Sequence, residues 1–253
     1  MAGRFDGKIA IVTGSTSGIG KSVALMMARE GARVTVTGRN VDGGTAVVEA
    51  IRAERGEAIF VQADVSDSRD VDRLVDESVQ AFGGIDILIN NAAIFPRGRL
   101  DDTTEELWDE IMTVNLKGPF LCCRAAVPHM RRRRGGVIIN VGSVNAFIGG
   151  ANLLAYSTSK GGLMTFTKNL ARGLARDKIR VNLVNPGWVV TEGEHRVQLQ
   201  QGQPENWAEI GAAKQPFGQM LGPEDIAHGI LYLASDEAAK VSGAVLTLSQ
   251  EPY

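Results

Sequence analysis

Seven short runs of β-branched and aliphatic residues recur along the chain: Lys8 to Thr13, Arg33 to Thr37, Ala58 to Gln62, Ile85 to Asn90, Val137 to Val141, Arg180 to Val184 and Ala244 to Leu248. Runs of this length and composition predict strands. Most of the segments between them have helical length, with apolar residues three and four apart. Val71, Leu74, Val75, Ser78, Val79 and Phe82 make one such face, opened by a capping candidate at Ser66 or Asp67. Strands that alternate with helices require right-handed crossovers, which implies a parallel sheet covered on both faces. No linker or fixed-period repeat divides the chain. The expected class is therefore α/β, a single doubly wound domain spanning residues 1–253 around a seven-stranded parallel sheet with helices on both faces. Such sheets bind ligands beyond the carboxyl ends of their strands, so chemistry is sought just after each run.

Composition narrows the function. Thirty of the 253 residues are glycine, well above the usual share of roughly 7%. Collagen is excluded because the glycines are not at every third position and only 8 prolines occur, and disorder is excluded by the 44% hydrophobic content. With 27 Lys and Arg against 29 Asp and Glu, the net charge of -2 gives no global field for nucleic acid or an anionic membrane. The run Arg131 to Arg134 complements a helix C-terminus and lacks the interleaved aromatics of a nucleic-acid surface. Cys122 and Cys123 are neighbours, so no disulfide framework is expected, which fits a reducing cytoplasm. No apolar run approaches the roughly 20 residues of a membrane span, and Met1 to Gly7 lacks a signal peptide's apolar stretch. The expected partner is a small molecule.

After the first strand stands Thr13-Gly14-Ser15-Thr16-Ser17-Gly18-Ile19-Gly20, followed by a helical segment to about Glu30. A glycine turn leading into a helix N-terminus points backbone N–H groups and the positive end of the helix dipole at an anion, and absent side chains let a pyrophosphate approach. The second strand ends in Val36-Thr37-Gly38-Arg39-Asn40, with an arginine and no carboxylate. An acid there would bind the ribose 2′-OH of NAD, whereas Arg39 suits the 2′-phosphate of NADP; NADP is favoured and NAD is the alternative. Further on, Tyr156 and Lys160 in Tyr156-Ser157-Thr158-Ser159-Lys160 are four apart on one face of a helical segment. An ammonium near a phenol favours phenolate, so the pair suits acid–base work near neutral pH. Ser143 follows the fifth strand, and Asn115 is a polar residue midway along an amphipathic helical segment.

The spacing T-G-x-x-x-G-x-G, with Tyr156-x-x-x-Lys160, resembles the short-chain dehydrogenase/reductase family, and motifs in its order run from Lys8 to about Leu248. The resemblance implies a Rossmann fold and a catalytic set of Asn115, Ser143, Tyr156 and Lys160. In that pattern Tyr156 exchanges a proton with the substrate oxygen, Ser143 orients that oxygen, and Lys160 binds ribose hydroxyls and lowers the tyrosine pKa. Asn115 holds a water linking the lysine to solvent. Cofactor contacts are implied for Gly14, Ser15, Thr16, Ser17, Gly18, Ile19, Gly20 and Arg39. They are implied also for Asp64 and Val65 near adenine, Asn91 and Ala92 near its ribose, and Pro186, Gly187, Val189 and Thr191 near nicotinamide. Ala93 replaces the family's usual glycine. Homotetramers or homodimers are expected.

The stretch 188–217, where this family carries a substrate lid, is polar and amide-rich, with Trp188 and Trp207 among Glu192, Glu194, Gln198, Gln200 and Gln201. Indole faces beside amides suit a polyhydroxylated substrate, so the expectation is hydride transfer between nicotinamide and a secondary alcohol or carbonyl of a sugar or polyol. Asn145, Trp188, His195, Arg196 and Trp207 are the substrate-contact candidates, His195 and Arg196 for an anionic substituent. No metal site is expected, since His129 and His228 show no ligand spacing with His195. The alternatives are a 3-oxoacyl thioester reductase, which shares the catalytic residues, and a non-catalytic dinucleotide sensor. The tail Ser249-Gln250-Glu251-Pro252-Tyr253 departs from the family's aspartate and paired glycines, and is expected to fray.

Overall fold

The computed structural model describes residues 3–251. Its seven strands are β1 (Ile9–Thr13), β2 (Arg33–Gly38), β3 (Glu57–Gln62), β4 (Ile87–Asn90), β5 (Gly136–Val141), β6 (Ile179–Pro186) and β7 (Val245–Leu248). They form one parallel sheet in the order β3-β2-β1-β4-β5-β6-β7. The apolar runs located all seven, with ends shifted by up to two residues. Ile85 and Asp86 fall outside β4, where the Asp86 carboxylate accepts the Ile9 N–H at 2.9 Å and Arg133 at 2.6 and 3.0 Å.

The helices are α1 (Gly18–Arg29), α2 (Val41–Ala53), α3 (Ser68–Phe82), α4 (Glu105–Met112), α5 (Gly118–Arg132), α6 (Asn145–Ile148), α7 (Leu154–Gly173), α8 (Glu192–Gln200), α9 (Trp207–Ala212) and α10 (Pro223–Ala234). Capping explains several starts: Asn40 accepts from Gly43 N–H, Asp67 from Arg69 N–H and Thr104 from Leu107 N–H. Two apolar clusters divide the core by strand alternation. Val12, Ile87, Ile89, Ile139 and Val184 face one way, with α1 and α10 residues such as Val23, Met27, Ile226 and Ile230. Ile11, Leu88, Ile138 and Val181 face the other, with Leu74 and Val75 of α3 and Leu121 and Ala126 of α5. Both faces are covered, which is why the strand runs are continuously apolar rather than alternating.

The chain goes from β1 to β2 on one side and places β4 on the other, so a crevice opens between β1 and β4 at their carboxyl ends. The polar run at the opposite edge resolves into structural ties. α5 extends to Arg132, Arg131 pairs with Asp177 and Arg133 with Asp86, and Arg134 turns the chain at φ 64°. No helix among the described residues is long and apolar enough to cross a membrane.

Leu88 lies in the middle of the central strand β4 at 1% exposure, whereas Val41 opens α2 at 46%. Leu88→Ala is expected to lower the urea unfolding free energy by about 2–5 kcal/mol, and Val41→Ala by no more than roughly 0.5 kcal/mol.

Candidate active site

Three polar side chains converge where β5 ends. Ser143 sits two residues past β5, its N–H donating to Asn185 Oδ1 at 2.8 Å and its hydroxyl near enough to the Tyr156 phenol to pull that group's pKa down. Tyr156 lies in the first turn of α7, and Lys160 one turn on places Nζ 5.6 Å from the phenol ring centroid. The Lys160 ammonium is 2% exposed and donates to the Val141 carbonyl at 2.8 Å. Burial pulls it down to about 8. Burial also pushes the Tyr156 phenol above its ordinary value, outweighing the nearby Ser143 hydroxyl and Arg97 charge, which pull it down. In the protein alone desolvation is the largest influence on both groups, raising the phenol and lowering the ammonium.

Asn115 occupies a π-helical turn, Thr113–Lys117, that joins α4 to α5 into one continuous helix. Its side chain clasps the Ile94 peptide, accepting the N–H at 2.9 Å and donating to the carbonyl at 2.8 Å, and reaches Ser159 Oγ at 3.2 Å. Asn115 makes no hydrogen bond to Lys160; it ties the segment after β4 to α7. A wide turn of this kind inside a helix often marks a functional position.

The glycine loop packs tightly against the segment after β4. A Cβ on Gly14, which has φ 62°, would lie 2.8 Å from Ala92 Cα, and one on Gly20 would strike the Asn91 side chain and the Gly14 carbonyl. Asn91 Nδ2 donates to the carbonyls of Thr13 and Gly14 at 2.9 and 3.0 Å, and the Thr13 hydroxyl accepts the N–H groups of Asn91 and Ala92. Ser15 is buried and bonded to β2 through Thr37 N–H at 3.0 Å, so its hydroxyl holds the loop rather than facing outward. Thr16 fills the space beside Gly38, Ser17 precedes α1 without a side-chain cap, and Ile19 packs partly buried on the core. Gly18 has φ 55°, and its N–H at the start of α1 donates to Glu192 Oε2 at 3.1 Å. A carboxylate from α8 thus already stands at this helix N-terminus, which shows that the position accepts an anion.

The remaining cofactor candidates border this cradle. Arg39 is two-thirds exposed, with Nη1 3.8 Å from Asp64 Oδ2, while Asp64 Oδ1 accepts from Ser66 N–H and Oγ as a turn residue. Val65 is buried against Gly118. The Pro186 carbonyl accepts Val144 N–H, Gly187 N–H donates to Leu248, and Val189 pairs with Leu221. Thr191 caps α8, accepting the Glu194 N–H at 3.1 Å.

The lid candidates separate. Trp188 is 40% exposed and stacks on Trp207 at 5.6 Å, but Trp207 is only 3% exposed and donates its indole N–H to His195 Nδ1 at 2.9 Å. Trp207 and His195 are thus engaged with each other, and Arg196 projects from the exposed side of α8, opposite Glu194 and Gln198. Asn145 stays at the centre, its N–H and Nδ2 donating to the Ser143 hydroxyl at 3.2 and 3.3 Å. Sequence reading missed Phe95, Arg97 and Asn185 and did not single out Glu194. Phe95 meets the Tyr156 ring edge-on at 6.3 Å, and Arg97 pairs with Glu194 at 3.3 Å. The tail does not fray at Gln250, which donates to the Gln219 carbonyl at 2.6 Å and accepts Phe217 N–H at 3.0 Å; Pro252 and Tyr253 lie outside the described residues.

Comparison with known proteins agrees with this geometry. The family model for short chain dehydrogenase matches residues 8–202. A protein of Rhizobium meliloti (strain 1021) named "Probable galactose dehydrogenase" is 37% identical over 239 residues, covering 94% of this chain and 92% of that one. A 3-oxoacyl-[acyl-carrier-protein] reductase of Thermotoga maritima is 36% identical over 243 residues, covering 96% of each. The crystal structure of a dehydrogenase/reductase from Sinorhizobium meliloti 1021 superposes with a TM-score of 0.88 at 35% identity, covering 98% of this chain and 96% of that one. With its seven-stranded parallel sheet, its glycine loop and this breadth of similarity, the chain belongs to the short-chain dehydrogenase family of NAD(P)-dependent oxidoreductases.

Proposed function

We propose that this oxidoreductase transfers hydride between NADP(H) and a secondary alcohol or carbonyl of a sugar or other polyol. The observation that carries the reading is the meeting of Ser143, the Tyr156 phenol and the buried Lys160 ammonium at the end of β5, with only β4 between that strand and β1, which leads into the glycine loop. The loop Gly14 to Gly20 with Asn91 and Ala92 holds the pyrophosphate and adenosine part, Arg39 the 2′-phosphate, Asp64 and Val65 the adenine. Pro186, Gly187, Val189 and Thr191 border the nicotinamide. The bound nicotinamide supplies the hydride acceptor in oxidation and the donor in reduction. Ser143 and Asn145 orient the substrate oxygen. In oxidation Tyr156 takes the hydroxyl proton, and in reduction it returns one; Lys160 holds positive charge beside the phenol and binds ribose hydroxyls. Asn115 fixes α7, and through it Tyr156 and Lys160, against the segment after β4. Residues 188–217 act as the lid of a single-domain enzyme, and its polar interior supports a polar substrate over an acyl chain.

A second copy of the chain is the proposed partner, as a homodimer or homotetramer. The groove of about 710 Å³ walled by Met112, Leu116, Phe120 and Phe166 supports this, with Phe120 45% exposed. The buried, unpaired thiols of Cys122 and Cys123 support a reducing, cytoplasmic setting.

Following reduced-nicotinamide absorbance against sugars, polyols, sugar acids and acyl thioesters, with both cofactors, tests the assignment. Turnover of a sugar or polyol is expected, and turnover confined to acyl thioesters contradicts it. Arg39→Ala should raise the Kd for NADP by roughly tenfold or more, against less than about twofold for NAD; equal losses contradict the 2′-phosphate role. Phe120→Asp should lower the molar mass seen by light scattering, and an unchanged mass contradicts the assigned face. Because burial lowers Lys160 from 10.5 to about 8, folding disfavours its protonated form. The penalty is full below pH 8 and vanishes as pH rises past the unfolded value, so stability gains with pH across that window. Lys160→Met should remove roughly 3 kcal/mol of that rise, read as the difference between wild-type and variant urea unfolding at pH 7 and pH 10; parallel profiles contradict it.

A further inference from the structure

An ion pair between a buried carboxylate and a partly buried guanidinium stands one ring away from Tyr156. Arg97 follows β4, its guanidinium carbon 5.9 Å from the Phe95 ring centroid, and Phe95 in turn meets the Tyr156 ring at 6.3 Å. From the lid, Glu194 faces it: the two side chains are 21% and 11% exposed. Arg97 Nη2 reaches the two Glu194 oxygens at 3.3 and 3.4 Å, one nitrogen shared between both rather than a two-nitrogen fork. Among the described residues the Arg97 Nε is buried without a hydrogen-bond partner. Glu194 is loaded unevenly. Its Oε1 accepts Trp188 Nε1 at 2.9 Å and Gln198 Nε2 at 2.6 Å, whereas among the described residues Oε2 has only the long contact with Arg97. Burying two charges for so loose a contact is costly, and removing either partner would be costlier still.

We propose that Arg97 and Glu194 together recognise a second, non-reacting hydroxyl group of the substrate, making them the specificity-determining pair that selects a neutral polyol over a hydroxy acid or a simple alcohol. The inference rests on the polyol reading above and deepens it. A hydroxyl both donates and accepts, so it satisfies the guanidinium N–H and the open Glu194 oxygen at once. A carboxylate only accepts: it would gain from Arg97 and lose as much against Glu194, because the pair is neutral as a whole. A simple alcohol would leave both groups with their poor mutual contact, and a site built to bond a hydroxyl rejects the analogue that lacks it.

A matched four-carbon set tests this through kcat/KM: 2,3-butanediol, 2-butanol and 3-hydroxybutyrate, with NADP and NAD. The wild type should prefer the diol over 2-butanol by ~10-fold or more, carried mainly by KM. Arg97→Met should bring that ratio below about threefold while the KM for the cofactor stays within about twofold. Glu194→Gln keeps the shape but leaves Arg97 uncompensated, so 3-hydroxybutyrate should improve by ~10-fold as the diol weakens. Arg97→Lys keeps the charge without the planar guanidinium and should fall between wild type and Arg97→Met, which separates recognition from misfolding. A wild-type preference for 3-hydroxybutyrate, a diol ratio near one, or a ratio that survives both variants overturns the pair's role even if sugars are turned over. Failure of every alcohol and carbonyl in the wider panel overturns the parent reading instead.

Discussion

The candidate active site is organised by one constraint: an ammonium held at 2% exposure whose one hydrogen-bond partner among the described residues is the Val141 carbonyl. Burying Lys160 is unfavourable, and the fold tolerates it because β5 ends where α7 begins its climb, so the last carbonyl of the strand meets the lysine one turn above Tyr156. The same placement desolvates the phenol. In the protein alone both groups resist ionisation, tyrosine above its ordinary value and lysine at about 8. Burial thus dominates both groups, and a cation arriving beside the phenol has the largest effect where water is excluded.

Around that centre, elements far apart in sequence are laced by polar side chains. Asn115 binds the segment after β4 to α7, Asn91 binds that segment to the glycine loop, and Asn185 carries the Ser143 N–H. The lid touches two of these parts by carboxylates, Glu192 on Gly18 N–H and Glu194 on Arg97. The proposed recognition pair and the glycine-loop helix N-terminus are thus joined through α8, nine residues long.

The sheet and the glycine loop were legible because their signals are local: apolar runs give strands, and glycines at fixed spacing before a helix give an anion turn. Tyr156 and Lys160 are legible for the same reason, being one turn apart. The cause of the glycine requirement was less so. Gly14 and Gly20 are required first by close packing against Ala92, Asn91 and each other, whereas Gly18 presents its N–H to a carboxylate, that of Glu192. Arg97 escaped notice because its partner is 97 residues away, and Asn185 because it acts 42 residues from its own position. The lid was read as a polar, amide-rich stretch offering two indole faces to a substrate, yet Glu194 and Gln198, four apart, turn inward while Trp207 is consumed by stacking. Composition does not reveal which polar face of a helix is buried.

The account stands most directly on Tyr156 as the proton-exchanging group. Tyr156→Phe keeps the ring, the Phe95 contact and the lysine's surroundings while removing the hydroxyl. Turnover of an identified alcohol should fall by at least roughly a hundredfold, with the Kd for NADP held within about twofold. A Phe variant that turns over at near wild-type rate would contradict the mechanism.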